Sequence, residues 1–503
     1  MYSATSSAKD INSSRTSSRN NNSDDADDEC AKMSLFERFY GPWNEQVLHN
    51  LDANGLRHRT KTSSGLWLGS LVGLSALLTY LKEDKSYSEI CLVTGITGFS
   101  LFISSLCLFF QLRKEKVVAK DYHLLYFLPA IISAISFLHI GTKGLFTSAF
   151  WGIFIASMGT WGVVQLMSYL PGCFTLGEAT AVMHGIILFL MSTFQNLPLR
   201  YHLRPIHSND IVTVILQVLT LSVIAICILC AKYPIFRKTQ SFYFLTFAMM
   251  VFITRPALNE LLDQNPVYWV ISFVLSSKSK ILLVTYWTAC LLFAFISINC
   301  QILKGDKATT SIRKIFHILA VMVYVPGLIL EPTLLYLASG VILSLFLMIE
   351  LFRIYKIPPI GHFLQQGFTS FADEKDSIVS LTPLYLLCGL SWPLWLPADN
   401  MHILILMSGV MTIGIGDSAA SFVGSRWGKH RYINSSKSFE GTYACAISQY
   451  IFIVALALCG YVNTGPLLVR IICSTILVSI LEAYTEQVDN LALPFVNYLC
   501  LSM

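Results

Sequence analysis

Long apolar stretches follow one another from about residue 65 onward, and they limit the fold more than any other feature. Each is close to the roughly 20 apolar residues that an α-helix needs to cross a bilayer. Inside a bilayer the backbone must satisfy its own hydrogen bonds, so helices are expected throughout. The stretches lie near residues 66–82, 90–112, 122–140, 145–169, 174–195, 210–231, 240–255, 267–299 (one or two helices), 315–331, 333–352, 378–397, 401–422, 443–461 and 466–484. They predict an all-α polytopic integral membrane protein with about 13 to 15 transmembrane helices.

The composition agrees with this class. Hydrophobic residues make up 54% of the 503 residues and charged residues 13%, against about 25% charged in soluble chains. A soluble protein of this size cannot bury so much apolar surface, which excludes an ordinary cytosolic enzyme. The formal net charge of +5 is too small to indicate a nucleic-acid partner. Most of the 13 cysteines lie in apolar stretches and are expected to pack as small helix residues, not to bind zinc.

The chain is predicted to have four regions. Residues 1–34 are rich in Ser, Asn and Asp, so a disordered polar tail is expected. Residues 35–64 begin with aromatic residues that suit an interfacial helix. Residues 65–300 form an N-terminal multi-span membrane region, in which Glu178 and His184 are expected to be packed polar residues. Residues 301–503 form a C-terminal membrane region that holds most of the polar motifs.

Four loops are rich in lysine and arginine. Short loops of this composition usually face the cytosol. They comprise residues 113–120, 232–238, 304–314 and 426–437. Two of them adjoin the polar motifs described next, so a site on the cytosolic side is predicted.

Charged residues gather at helix ends from residue 310 onward, and ionisable groups at membrane depth are costly enough to indicate function. On one helical face, Arg313, Lys314 and His317 suit either a cationic wall for phosphates or a basic anchor at the start of a span. The spacing of Glu350 and Arg353 favours a structural ion pair.

An acidic loop follows these charges. Three carboxylates within four residues suit Mg²⁺, although a solvated loop has the same composition. The loop contains Asp373, Glu374, Lys375 and Asp376.

The segment from Gly414 to His430 is the most informative. If it is helical, small residues form one ridge and polar residues form a stripe beside it. The ridge is Gly416, Ala420, Gly424 and Gly428, and the stripe is Asp417, Ser421, Ser425 and Lys429. Helix–helix packing explains the ridge alone, whereas close approach to a phosphate or nucleotide explains both. The segment lacks the βαβ context of a Rossmann site and is one residue short of a P-loop.

Two later segments carry further polar groups. The first opens a helix and suits phosphate binding through free N–H groups, or a plain capped helix start with Ser438 as the cap. Its polar and small residues are Lys437, Ser438, Glu440, Gly441 and Thr442. The second places Glu482, Thr485 and Asp489 on one helical face, which suits a Mg²⁺ site or a general base.

Together these motifs indicate phosphate chemistry at a membrane surface. In order along the chain, the runs GDSAASFVGSRWGKHRY, KSFEGT and EAYTEQVDNLALP resemble the polyprenol kinase family, and within it the dolichol kinases. The upstream runs RKIFH and FADEKDSIVSLTPLYLL resemble the same family, so the resemblance covers about residues 310–495. The long multi-span N-terminal half is similar to that of the eukaryotic members.

The resemblance implies transfer of the γ-phosphate of CTP to the terminal hydroxyl of dolichol. The product, dolichyl phosphate, carries sugars for N-glycosylation and related pathways. The resemblance also implies Mg²⁺ or another divalent cation, a location in the endoplasmic reticulum membrane, and a CTP-binding loop at about residues 428–442 that faces the cytosol. Dolichol, CTP and the lipid bilayer are the implied partners, and no protein partner is indicated.

Roles for individual residues are hypotheses that follow from what phosphoryl transfer requires, namely charge neutralisation and in-line positioning. Metal binding is assigned to Asp417 with Asp489 or Glu482, and orientation or deprotonation of the dolichol hydroxyl to Asp376 or Asp489. The nucleotide is assigned to Gly428, Lys429, Lys437, Ser438, Glu440, Gly441 and Thr442. The product phosphate is assigned to Arg313, Lys314 and His317.

Two other functions remain open. A cytidylyltransferase would make a CDP-lipid and release pyrophosphate, but its HGGxxDRxD-like segment is absent. A transporter would have broken helices in two matching halves, whereas here the polar motifs crowd into one half.

Overall fold

The computed structural model describes residues 35–60, 62–82, 89–112, 123–304, 308–372, 376, 378–398, 401–432, 435 and 437–503. The predicted tail 1–34 and the basic loop 113–120 lie outside these residues, as do Asp373, Glu374 and Lys375. Within the described ranges the regular structure is helical, apart from one isolated antiparallel bridge between Arg431 and Ser438.

The helices are numbered in chain order. The first ten are α1 (Leu35–Ala53), α2 (Leu66–Lys82), α3 (Glu89–Leu112), α4 (His123–His139), α5 (Leu145–Tyr169), α6 (Leu176–His202), α7 (Ser208–Lys232), α8 (Thr239–Leu262), α9 (Pro266–Leu275) and α10 (Lys278–Lys304). The others are α11 (Thr310–Leu330), α12 (Pro332–Ile354), α13 (Gly361–Phe371), α14 (Leu381–Trp395), α15 (Ser418–Trp427), α16 (Phe439–Leu458), α17 (Leu468–Tyr484) and α18 (Asp489–Ser502).

Nine helices in the described part of the chain are long and apolar enough to cross a membrane. They are α3, α5, α6, α7, α8, α10, α11, α12 and α16. This confirms the predicted all-α polytopic class. Three apolar helices are shorter, namely α2, α9 and the Phe127–His139 part of α4. The total of about 13 to 15 crossings stays a prediction, because it requires shorter helices to cross as well.

The structure decides one open point of the helix pattern and adds two short helices. The stretch 267–299 is two helices, because Ser277 interrupts it and its hydroxyl accepts the backbone N–H of Lys280 at 3.2 Å. The short helices α13 and α18 were not predicted as elements. Both are shorter than a membrane span, with 11 and 14 residues.

Helix α18 joins the two halves of the molecule. It packs against α2, α14 and α17, and most of its side chains are buried. The Tyr498 hydroxyl lies 2.6 Å from that of Thr79 on α2. Trp392 of α14 donates to the Ser75 hydroxyl at 2.9 Å and packs on Phe495, with ring centroids 5.0 Å apart. The apolar core therefore continues across the boundary predicted at residue 300.

The helix ends that border the four basic loops lie on one side of the helix bundle. A series of contacts links them: Leu112 with Asn50, Ser63 with Glu486, Lys437 with Glu482, Lys314 with Asp417, Ala308 with Ser370, and Arg237 with Tyr355. We call this the site side. The opposite side includes the contact between Thr333 and Asn209 and that between Glu331 and Ser277.

Candidate active site

Asp417 lies where a π-helical turn, Val410–Asp417, runs into α15. Such turns are rare and frequently occur at functional sites. The turn packs tightly on α16, since a Cβ on Gly416 would lie 2.8 Å from the Gln449 amide nitrogen. Asp417 itself is only 3% exposed. Close packing therefore holds a carboxylate away from bulk solvent.

The small-residue ridge serves this helix packing. Gly416 faces Gln449, and a Cβ on Gly441 of α16 would lie 3.0 Å from the Ala420 carbonyl and 3.5 Å from the Gly424 Cα. The idea that a phosphate or nucleotide approaches the whole ridge is thus corrected for these positions. Helix α16 covers Gly416, Ala420 and Gly424. Only Gly428, the last residue of the ridge, lies in the loop between α15 and α16.

Helix α11 brings basic groups to Asp417. Lys314 forms an ion pair with the Asp417 carboxylate, and His317 Nε2 lies 3.9 Å from Asp417 Oδ2. His317 Nε2 is also 3.3 Å from the Asn490 side-chain oxygen at the start of α18. Two of the three predicted phosphate-binding residues therefore contact the predicted metal ligand. The third, Arg313, is half-buried on the same helix.

Lys437 is the centre of a second group of charges. Its ammonium pairs with Glu482 of α17. Burial of this side chain alone would lower its pKa, but the charges of Asp489, Glu482 and Asp417 outweigh burial, and the pKa is raised above its usual value. The three carboxylates thus act on one lysine, although they come from three separate elements.

The carboxylates suit a divalent cation that arrives with a nucleotide. No group of three or more His, Cys, Asp or Glu side chains in the described part of the chain could hold a metal ion by itself. Mg²⁺, however, usually takes one or two protein carboxylates and completes its shell with water and substrate phosphates. Asp417 with Asp489 or Glu482 fits this set of donors.

The loop between α15 and α16 folds back on itself as a short hairpin. The Phe439 N–H donates to the His430 carbonyl at 2.9 Å, and the Tyr432 N–H donates to the Lys437 carbonyl at 3.1 Å. The Ser438 hydroxyl accepts the Gly441 N–H at 3.2 Å and caps α16, as the plain-cap interpretation expected. Gly428 passes beneath this cap, and a Cβ there would lie 2.6 Å from the Ser438 hydroxyl.

Side chains stabilise the shape of this loop. Glu440 accepts from His430 Nδ1 at 2.8 Å, and the Tyr432 hydroxyl donates to Thr442 at 3.1 Å. The Tyr432 ring stacks on Phe439 with centroids 4.1 Å apart. Of the predicted nucleotide-binding residues, Ser438, Glu440, Gly441 and Thr442 therefore make contacts within the loop. Lys429 is exposed to solvent.

Asp376 contacts the start of α14. Its carboxylate accepts the backbone N–H groups of Leu381 and Thr382 at 2.9 and 3.1 Å, and the Thr382 hydroxyl at 2.9 Å. These bonds give Asp376 a capping role. The other three carboxylates assigned to catalysis, Asp417, Glu482 and Asp489, act on Lys437 instead. Nearby, Arg353 and Glu350 form the predicted ion pair at 2.5 Å.

Sequence reasoning missed two polar residues beside Asp489. Asn490 contacts His317, and Gln487 is buried in the turn before α18. Both lie in the run EAYTEQVDNLALP. Gln487 lies between the assigned Glu482 and Asp489, and Asn490 directly follows Asp489, so their position was the available signal, but their partners lie elsewhere in the chain.

Comparisons with known proteins agree with the resemblance seen in the sequence. The family model described as dolichol kinase matches residues 161–384, less than half of the chain, and overlaps the first part of the region 310–495. The human dolichol kinase is 33% identical over 357 residues, and the bovine (Bos taurus) dolichol kinase is 32% identical. Each alignment covers 65% of this chain and 65% of the relative, so it spans just under two thirds of these relatives.

A plant relative is matched over more of its length. Dolichol kinase EVAN of Arabidopsis thaliana is 26% identical over 90% of this chain and 83% of that protein. No solved structure matches the chain significantly.

Proposed function

We propose, since this chain is a relative of the dolichol kinases, that it transfers the γ-phosphate of CTP to the terminal hydroxyl of dolichol. The products would be dolichyl phosphate, the lipid carrier for N-glycosylation and related pathways, and CDP. We place the enzyme in the endoplasmic reticulum membrane with its site side toward the cytosol, where CTP is supplied.

The observation that carries this proposal is the charge cluster of Asp417, Glu482 and Asp489 with Lys314 and Lys437. Phosphoryl transfer requires charge neutralisation and in-line positioning more than covalent chemistry by the protein. The cluster joins cations for phosphate oxygens to carboxylates for a divalent cation. It lies at the site-side helix ends, where a lipid hydroxyl can meet a water-soluble nucleotide.

The charged residues would bind the metal ion and the nucleotide phosphates. Asp417, with Asp489 or Glu482, would hold Mg²⁺, which neutralises charge on the nucleotide phosphates. Lys314 and Lys437 pair with Asp417 and Glu482 in this structure, and they would donate to phosphate oxygens when a nucleotide is bound.

The remaining roles concern the loop and the acceptor. The hairpin at residues 428–442 would hold the triphosphate, with Lys429 as a further cation. Of the two candidate bases, we favour Asp489 over Asp376, because the charge of Asp489 acts on Lys437 while Asp376 caps α14. Asp489 would orient the dolichol hydroxyl and accept its proton.

The test is to incubate the purified full-length protein with γ-labelled CTP, Mg²⁺ and dolichol. Labelled dolichyl phosphate with release of CDP is the expected result. Release of pyrophosphate with formation of a CDP-lipid would instead identify a cytidylyltransferase. Absence of labelled lipid in protein that is folded and inserted would refute the proposal. ATP and GTP as alternative donors test the nucleotide preference.

A further inference from the structure

The turn that joins α17 to α18 is held by the N-terminal region. This turn, residues 485–488, lies between Glu482 and Asp489, so its path sets the distance between these two carboxylates. It contacts two segments far away in sequence, the loop 59–65 and the start of α6 at residues 174–178. We call this arrangement the junction.

Glu178 makes the first set of junction contacts. This fully buried carboxylate forms a bidentate pair with Arg59, with N···O distances of 2.7 and 3.0 Å. The same carboxylate accepts the backbone N–H of Val488 at 3.1 Å. A bidentate arginine fixes the orientation of its carboxylate. Glu178 therefore fixes the residue directly before Asp489.

Gln487 makes the second set of junction contacts. Its amide nitrogen donates to the Ser63 carbonyl at 3.1 Å, and its amide oxygen accepts from the Thr175 hydroxyl at 2.6 Å. Gly65 has a φ of +63°, and a Cβ at this position would collide with the Gln487 side chain. The neighbouring Glu486 accepts the Ser63 N–H at 2.6 Å. Residues 62–65 of this loop are thus shaped around the turn.

We propose that Arg59, Glu178 and Gln487 are positioning residues for Glu482 and Asp489. This inference rests on the proposed function, because it assigns the N-terminal region a role in that same site. The three residues act through the backbone of residues 485–490, which they fix to α6 and to the loop 59–65. Placement matters here, because a displacement of about 1 Å can reduce turnover by about a hundredfold.

The main test is Gln487→Ala in the full-length protein. It removes the side-chain hydrogen bonds to Ser63 and Thr175 without leaving a buried charge unpaired. We expect kcat/KM to fall by about tenfold or more, equivalent to about 1.4 kcal/mol, with a raised KM for CTP. The matched control is Thr79→Val, which removes the buried bond to Tyr498 between α2 and the other end of α18. The control should stay within about twofold of the parent.

A second measurement reports on the turn without using activity. Hydrogen–deuterium exchange of a peptide covering residues 485–490 should speed up in Gln487→Ala and in Glu178→Gln, but not in the control. Equal loss of activity in Gln487→Ala and Thr79→Val, or exchange unchanged in both junction variants, would overturn the inference. If the parent does not phosphorylate dolichol at all, the proposed function fails, while the exchange result still decides whether the junction fixes the turn.

Discussion

Substitution of Asp417 would affect both the stability and the proposed chemistry of the protein, because of what surrounds its carboxylate. It is buried, it pairs with Lys314, and His317 lies nearby. Removing one partner of a buried ion pair leaves the other charge uncompensated, which costs about 3–5 kcal/mol. A single Asp417 variant therefore mixes an effect on folding with any effect on catalysis.

A double variant separates the two effects. Asp417→Asn combined with Lys314→Met removes both charges, so thermal stability in detergent should stay close to that of the parent. CTP-dependent phosphorylation of dolichol should still fall by about a hundredfold or more, because the proposed metal and phosphate contacts are lost. The control removes another ion pair, with Glu350→Gln and Arg353→Met. Equal activity per folded protein in the two double variants would contradict the role of Asp417.

Lys437 gives a prediction about pH. Its raised pKa means that the charged form is stabilised by folding, so this contribution is complete below the ordinary value of 10.5 and is lost as pH rises through the folded-state pKa. Between pH 7 and 9.5 we expect no loss of thermal stability that titrates with Lys437. The comparison is Lys437→Arg, which keeps the charge over this range. An inflection in this range that disappears in Lys437→Arg would show that the lysine pKa is not raised.

At the residue scale, the sequence identified the kinds of groups and the local pair of Glu350 with Arg353, but not the pairings between distant segments. Asp417 could be singled out because a carboxylate beside small residues at membrane depth needs a reason. Its pairing with Lys314 depends on how α11 packs on the π-helical turn, about a hundred residues away, and no local pattern encodes that packing. For the same reason a cap such as Asp376 could not be told from a candidate base.

The loop between α15 and α16 shows how one small residue controls an element. Gly428 has ordinary backbone angles, so its requirement is space: a Cβ would press on the Gly424 carbonyl and on the Ser438 hydroxyl that caps α16. The cap and the hairpin would both have to shift. The shape of the proposed nucleotide loop therefore depends on the absence of a side chain at this position.

We predict that Gly428→Ala raises the KM for CTP by about tenfold or more while the protein remains folded, since the clash is limited to the end of α15 and the cap of α16. The control is Gly144→Ala, where an added Cβ would meet no atom within 4 Å. Kinetics and thermal unfolding of the two variants provide the test. An unchanged KM in Gly428→Ala would show that nucleotide binding does not depend on this loop.

Among the elements, the long spans were predictable and the short helices were not. A stretch such as that of α3 can be identified as a membrane span from its length and hydropathy alone. Helix α18 has only 14 residues, begins with Asp489 and Asn490, and contains Pro494. Because protein covers it, its helical state depends on tertiary packing more than on a lipid-sized apolar run. Hydropathy therefore could not identify it.

At the scale of the whole molecule, the common side of the four basic loops gives a topology prediction. A cysteine at Ser435 should react with an impermeant thiol reagent added to the cytosolic side of sealed microsomes. Ile206, 86% exposed near the opposite-side contacts, is the control, and a cysteine there should react only after permeabilisation. The parent protein gives the background from native cysteines.

The sequon at Asn434, which lies outside the described residues, should carry no glycan. The reverse labelling pattern would show that the site side faces away from the cytosol and would contradict the prediction.

The position of α18 also has a consequence for how the protein is made. Tyr498 and its partner Thr79 are separated by 419 residues, so α2 leaves the ribosome long before α18 is synthesised. During this interval Ser75 and Thr79 lack the Trp392 and Tyr498 side chains that later pair with them. Because Glu482 and Asp489 flank the turn leading into that helix, the proposed active site can form only after α18 has been synthesised.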